Sequence, residues 1–174
     1  MANIKEALAG VSAVTITLAS LGNYASRQST AVVNTVNLYL DYEVSGKITT
    51  GSGVSAGDVY LLLYGSDGTY TSYPAGLSDA AITVPQIDKL GGLTMGQTCP
   101  GTNLIYYQRI NTTGLAAGTA ANFAFTGIAN AFALLGGNIP PQWGLVVVNC
   151  SGQALDSTGG NHVINQNGVY ATNT

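Results

Sequence analysis

The chain is written as short alternations of apolar and uncharged polar residues, cut into pieces by 23 glycines. Residues 34–49 hold the clearest stretch. Val36, Leu38, Leu40, Tyr42 and Val44 fall on one side of it, and Asn37, Tyr39, Asp41, Glu43 and Ser45 on the other. A period of two belongs to a strand with one face packed and one face wet. Further strand signals fall at residues 11–21, 59–64, 69–73, 80–84, 104–112, 122–128, 145–148 and 162–170, separated by Gly, Pro, Asn and Ser clusters. Residues 59–64 are apolar on both sides, which suits a central strand. Asp67-Gly68 is a hairpin signal, and Pro85 confines the strand before it to an edge or a terminus. Beyond the N-terminal arm, only residues 129–135 suggest a helical turn. A parallel sheet would need crossover helices of about ten residues or more, and the sequence offers none. The expected fold is therefore all-β: an antiparallel β-sandwich or jelly roll, as one domain over residues 11–174, with a short N-terminal arm at residues 1–10.

The arm reads either as a helical turn capped by Asn3 and Glu6 or as an extended clasp. Lys5 and the apolar residues after it have the outline of a signal peptide. Glu6 beside Lys5, and Ser12, Thr15, Thr17 and Ser20 within the run, favour a strand instead. No apolar run approaches the roughly 18 residues of a membrane span, so no membrane partner is expected.

Charge excludes more than it suggests. Five basic and eight acidic side chains are all that 174 residues carry, against about a quarter of residues in an ordinary domain. Beyond Asn111 the one fully charged side chain is Asp156. There is no basic patch for a nucleic-acid backbone. His162 is the only histidine, and no G-x-S-x-G elbow accompanies it, so a Ser-His-Asp triad is not expected. Asp41 and Glu43 share a strand face as a glycosidase pair would, but on its wet side. Asp58, Asp67, Asp79 and Asp88 sit in loops or turns without calcium-loop spacing. Cys99 and Cys150 are open to two readings, a bridge or two thiols, and cannot alone complete a zinc site. No cofactor, metal or catalytic residue is expected. An uncharged surface of this kind opposes close packing against another protein very little.

Ten tyrosines are the more suggestive set. Tyr39, Tyr60, Tyr64, Tyr70, Tyr73, Tyr106 and Tyr107 lie in or beside expected strands. Tyrosine suits a protein interface, being apolar with a polar tip. With Asn and Gln beside it, it also suits a sugar-binding face. Trp143, after Pro140-Pro141, reads as a core or interface anchor.

Three stretches carry a resemblance: MANIKEALAGVSAVTITLASL, RQSTAVVNTVNLYLDYEV and GLVVVNCSGQALDSTGGNHV. Their most telling pieces are Lys5-Glu6-Ala7-Leu8, residues 27–32, Trp143-Gly144 and Ala154-Leu155-Asp156. In these the chain resembles a family of small tailed-bacteriophage virion structural proteins, over most of its length. Residues 91–113 depart most, and neither cysteine belongs to the matching pattern. The resemblance implies a non-enzymatic virion component, of the capsid cement (decoration) type, that stabilises the shell. It implies the major capsid protein as partner, self-association as a dimer or trimer, synthesis in the host cytoplasm and a final place on the capsid surface. Candidate contacts are Ile4, Lys5 and Leu8 of the arm, Tyr70, Tyr73 and Trp143, with loops 50–57, 94–102 and 136–142. The alternative is a tail, fibre or baseplate component with a carbohydrate-binding β-sandwich, using Tyr70 and Tyr73.

Overall fold

The structure is a computed structural model that describes residues 4–54, 56–69, 78–133 and 136–173. Ten strands are described: β1 (Ile4–Ala13), β2 (Ser26–Gln28), β3 (Val32–Val33), β4 (Asp41–Thr49), β5 (Asp58–Ser66), β6 (Ala80–Ile82), β7 (Ile105–Asn111), β8 (Ala120–Phe125), β9 (Gln142–Cys150) and β10 (Val163–Asn173). They form two antiparallel sheets. One has the order β1-β10-β4-β8; the other has the order β6-β2-β9-β5-β7, with β3 also on β9. The sheets pack face to face as a β-sandwich. The short helix α1 (Ile128–Ala131) follows β8 and overlaps the start of the helical turn expected at 129–135.

Two cores explain the sequence of the central strands. Between the sheets, Tyr42, Val44 and Ile48 of β4 meet Leu61, Leu63, Tyr107, Trp143, Leu145 and Val147. On the far face of the larger sheet a second cluster joins Tyr60, Leu62, Tyr64, Val146 and Val148 to Val84, Leu90, Cys99 and Leu104. Residues 84–104 thus form a third layer. This is why residues 59–64 and 145–148 are apolar on both faces: β5 and β9 pair over nine positions, from Asp58↔Cys150 to Ser66↔Gln142, with no wet side. Cys99 and Cys150 both belong to this region and remain thiols. Burial raises both, with Asp58 adding to the effect at Cys150, which reaches about 11.

Three elements differ from the sequence reading. The strand expected at 34–49 begins only at Asp41, and Val36, Leu38 and Leu40 are exposed instead of facing the core. Asn34 is the cause. Its Oδ1 accepts the Tyr39 N–H at 2.9 Å and the Tyr42 hydroxyl at 2.8 Å, closing a turn in which Leu38 takes a left-handed φ of 50°. The first strand spans 4–13, not 11–21. Residues 14–21 lie outside the named strands and end in a turn closed by the Leu21 N–H on the Leu18 carbonyl; they bury Val14 and Leu18 and are fastened by the Asp79 carboxylate to Thr17. The boundary drawn at residue 10 falls inside β1, and residues 4–10 are hydrogen-bonded edge strand, the extended of the two readings and not the helical turn. The expected return strand at 69–73 lies, from Tyr70 on, outside the described residues.

Candidate interaction surface

Four of the aspartates are engaged with the protein's own backbone. Asp41 accepts the N–H groups of Tyr42, Gly127 and Ala129 at 2.8, 3.1 and 2.9 Å, and so ties the start of β4 to α1. Asp67 closes a turn on Thr69. Asp156 accepts the Thr158 N–H and the Asn161 amide, which hold its carboxyl below the usual range. His162 lies between two backbone groups: Nδ1 accepts the Thr49 N–H at 3.3 Å, and Nε2 lies 2.9 Å from the Asp156 carbonyl oxygen. That pairing assigns the proton to Nε2. The imidazole meets a carbonyl where a triad would offer it a carboxylate. Among the described residues no three His, Cys, Asp or Glu side chains gather to hold a metal ion. No described helix is long and apolar enough to cross a membrane.

The candidate contact residues fall in different places. Trp143 is fully buried against Tyr42, ring centroids 4.9 Å apart, so of its two readings the core is the one realised. Tyr60, Tyr64, Tyr106 and Tyr107 are buried as well, because both faces of their sheet are covered. Tyr70 and Tyr73 lie outside the described residues. Ile4 opens β1 opposite Asn173, and Lys5 and Leu8 are exposed along the same edge strand, opposite Thr172 and Val169.

What the pairing brings together is a surface that no local pattern announces. The turn of residues 36–40 stands out as a ridge, with Val36 83%, Leu38 70% and Leu40 59% exposed. On one side of it a groove of about 630 Å³ is bordered by Ala9, Tyr170 and Ala171 of the β1–β10 ribbon. On the other side a hollow of about 230 Å³ is bordered by Gly137, Asn138 and Ile139. The terminal strands and loop 136–142 therefore belong to one face. Tyr39 anchors the ridge: its ring lies over Gly168, where any Cβ would run into it. Residues 33–40 and 163–174 contain no charged side chain. Exposed apolar area of this extent marks a contact surface more often than chance.

The other two expected contact loops lie elsewhere. Loop 50–57 is at the opposite end of β4, where the Val54 N–H donates to the Leu115 carbonyl. Residues 94–102 belong to the third layer, bonded to Tyr106 of β7 and burying Cys99. The residues missed at the sequence level are Leu38, Leu40 and Tyr170. Asn34 and Asn37 were the available signal, since asparagine closes turns and tolerates left-handed backbone. The chain matches no protein-family model, and no significant similarity to a curated protein or a solved structure was found.

Proposed function

We propose that this chain is a non-enzymatic structural protein of a tailed-bacteriophage virion, a capsid cement protein that binds the major capsid protein on the outer surface of the shell. The observation that carries the proposal is the uncharged apolar ridge of residues 36–40 between the β1–β10 ribbon and loop 136–142. A cement protein needs a rigid body and a surface that gains by being covered. The two-core sandwich supplies the first. The ridge supplies the second, because burying exposed Val and Leu side chains stabilises an interface by about 25 cal/mol for each Å² removed from water. Low charge fits the same role: residues 33–40 and 163–174 bring no charged side chain to this face. In this reading the protein works without cofactor, nucleic acid or membrane, and self-associates on the shell.

The test is the copy number per purified virion, by quantitative mass spectrometry against the major capsid protein. Hundreds of copies in a simple ratio to the capsid protein are expected. A few to a few dozen would move the protein to the tail or baseplate and favour a sugar-binding role. Absence from the particle would end both readings.

A further inference from the structure

A second groove lies away from that surface, where the third layer stops short of the ends of β5 and β9. It measures about 470 Å³ and is lined by Tyr24, Tyr60, Ile87, Asp88 and Cys150, a size within the ordinary range for small-ligand sites. Its two rims share a peculiarity. Tyr24 on one side has a φ of 59°, and Gln86, next to Ile87 on the other, has a φ of 54°. Glycine adopts this left-handed region freely; a bulky side chain does so only where the surroundings impose it.

The surroundings of Tyr24 do impose it. The Tyr24 N–H donates to the Asn149 carbonyl at 2.6 Å. The buried Asn149 amide donates to the carbonyls of Leu21 and Gly22 at 2.9 and 3.1 Å. Asn23 accepts the Gly152 N–H at 2.9 Å. The turn is fixed from several sides, and the ring it carries is 66% exposed. A fold that spends this much bonding to hold an aromatic ring in water presents that ring.

The polar groups of the groove are the Asp88 carboxylate and the Tyr60 hydroxyl. Asp88 is exposed in the 3-10 helix Ile87–Gly92. The Tyr60 hydroxyl lies 3.5 Å from Asp58 Oδ2, which is 3.8 Å from Arg109 Nη1. Tyr60 and Arg109 face each other across β5 and β7. Gly91 allows the helix to lie close, since a Cβ there would be 3.2 Å from the Tyr60 hydroxyl. An anion would meet the Asp88 carboxylate here. A flat aromatic ligand would find one exposed ring, since the Tyr60 ring is buried. A pyranose offers a C–H face for a single ring, and a rim of hydroxyls that donate to the carboxylate and exchange hydrogen bonds with the Tyr60 phenol.

We propose that this groove binds a neutral saccharide, one sugar ring stacked on Tyr24 and its hydroxyls held by Asp88 and the Tyr60 hydroxyl. The inference does not rest on the placement of the protein in a virion. It is tested on the full chain by saturation-transfer NMR and calorimetry with cellobiose, maltose, lactose and diacetylchitobiose as probes. At least one probe binds, and Tyr24→Gly and Asp88→Asn each weaken it about tenfold or more, the loss of one well-made contact. Tyr24→Gly removes the ring while relieving the backbone, so its melting temperature stays the same or rises. Asp88→Asn is an exposed substitution that decides the matter should the first variant fold poorly. Saturation transfer from none of the four sugars overturns the proposal, as does binding that survives both substitutions, or competition by inorganic phosphate.

Discussion

Gly144 lies beneath the ring of Tyr64, where any Cβ would overlap the ring atoms. Tyr64 has no room to yield: it is fully buried, and its hydroxyl donates to the Ser29 carbonyl at 2.9 Å. Ser29 Oγ in turn accepts the Leu145 N–H at 3.0 Å. Gly144→Ala therefore displaces an aromatic ring and strains a hydrogen-bond chain together. We expect a loss of about 1–3 kcal/mol, a melting temperature lower by roughly 2–10 °C. An unchanged thermal melt would show that the ring does not occupy that place. Trp143-Gly144 was visible in the sequence as a conspicuous pair, but the reason for the glycine was not, because Tyr64 is 80 residues away in the chain. The aspartates carry the same lesson. Asp79 holds Thr17, and Asp41 holds Gly127 and Ala129, across separations that only strand pairing closes. A loop carboxylate reads from sequence as a candidate ligand; the fold decides whether backbone N–H groups have already claimed it.

At the scale of elements, a period of two was a sound guide wherever both neighbours in the sheet enforce it. The burial of Tyr42, Val44 and Ile48 in β4 follows the alternation, and the two-sided apolar runs of β5 and β9 do sit centrally. The same alternation misled at Val36, Leu38 and Leu40, because one left-handed residue in a turn breaks the register and leaves the pattern intact. It misled again at residues 11–21, where Val14 and Leu18 are buried although the chain leaves its strand after Ala13. Asp41 stands at the junction between the misread turn and the well-read strand. Removing its carboxylate leaves the Gly127 and Ala129 N–H groups without their partner. Asp41→Ala should cost about 1–3 kcal/mol. Its signature should be local, with faster hydrogen exchange at Gly127, Ala129 and Tyr42 than in the middle of β5 and β9. Uniform destabilisation, with no excess exchange at those amides, would mean that Asp41 does not join β4 to α1.

For the molecule as a whole, the described groups whose titration folding shifts are, apart from Asp156, buried tyrosines and thiols. Burial pushes Tyr42 up to about 12 and raises Tyr60, Tyr64 and Tyr106. Tyr107 is raised furthest, by burial and then by the carboxylates of Asp41 and Glu43, which disfavour a phenolate beside them. Both thiols move the same way. These groups lie in both cores, so the two cores weaken together. In the unfolded chain a tyrosine ionises near pH 10. The folded protein keeps its proton above that point, so between the two values the unfolded state binds fewer protons and stability falls as pH rises. Each such tyrosine contributes a slope of about 1.4 kcal/mol per pH unit once the unfolded chain has ionised. The stabilisation is complete below about pH 10 and is lost as pH climbs through the folded values. Urea melts followed by Trp143 fluorescence should therefore have a much lower midpoint at about pH 11 than at about pH 8. Tyr107→Phe should lessen that difference, because the phenylalanine fills the same core without a proton to lose. A midpoint that stays level across the range, or a Tyr107→Phe variant as sensitive as the parent, would place the tyrosine hydroxyls in water and dissolve the two-core account of this fold.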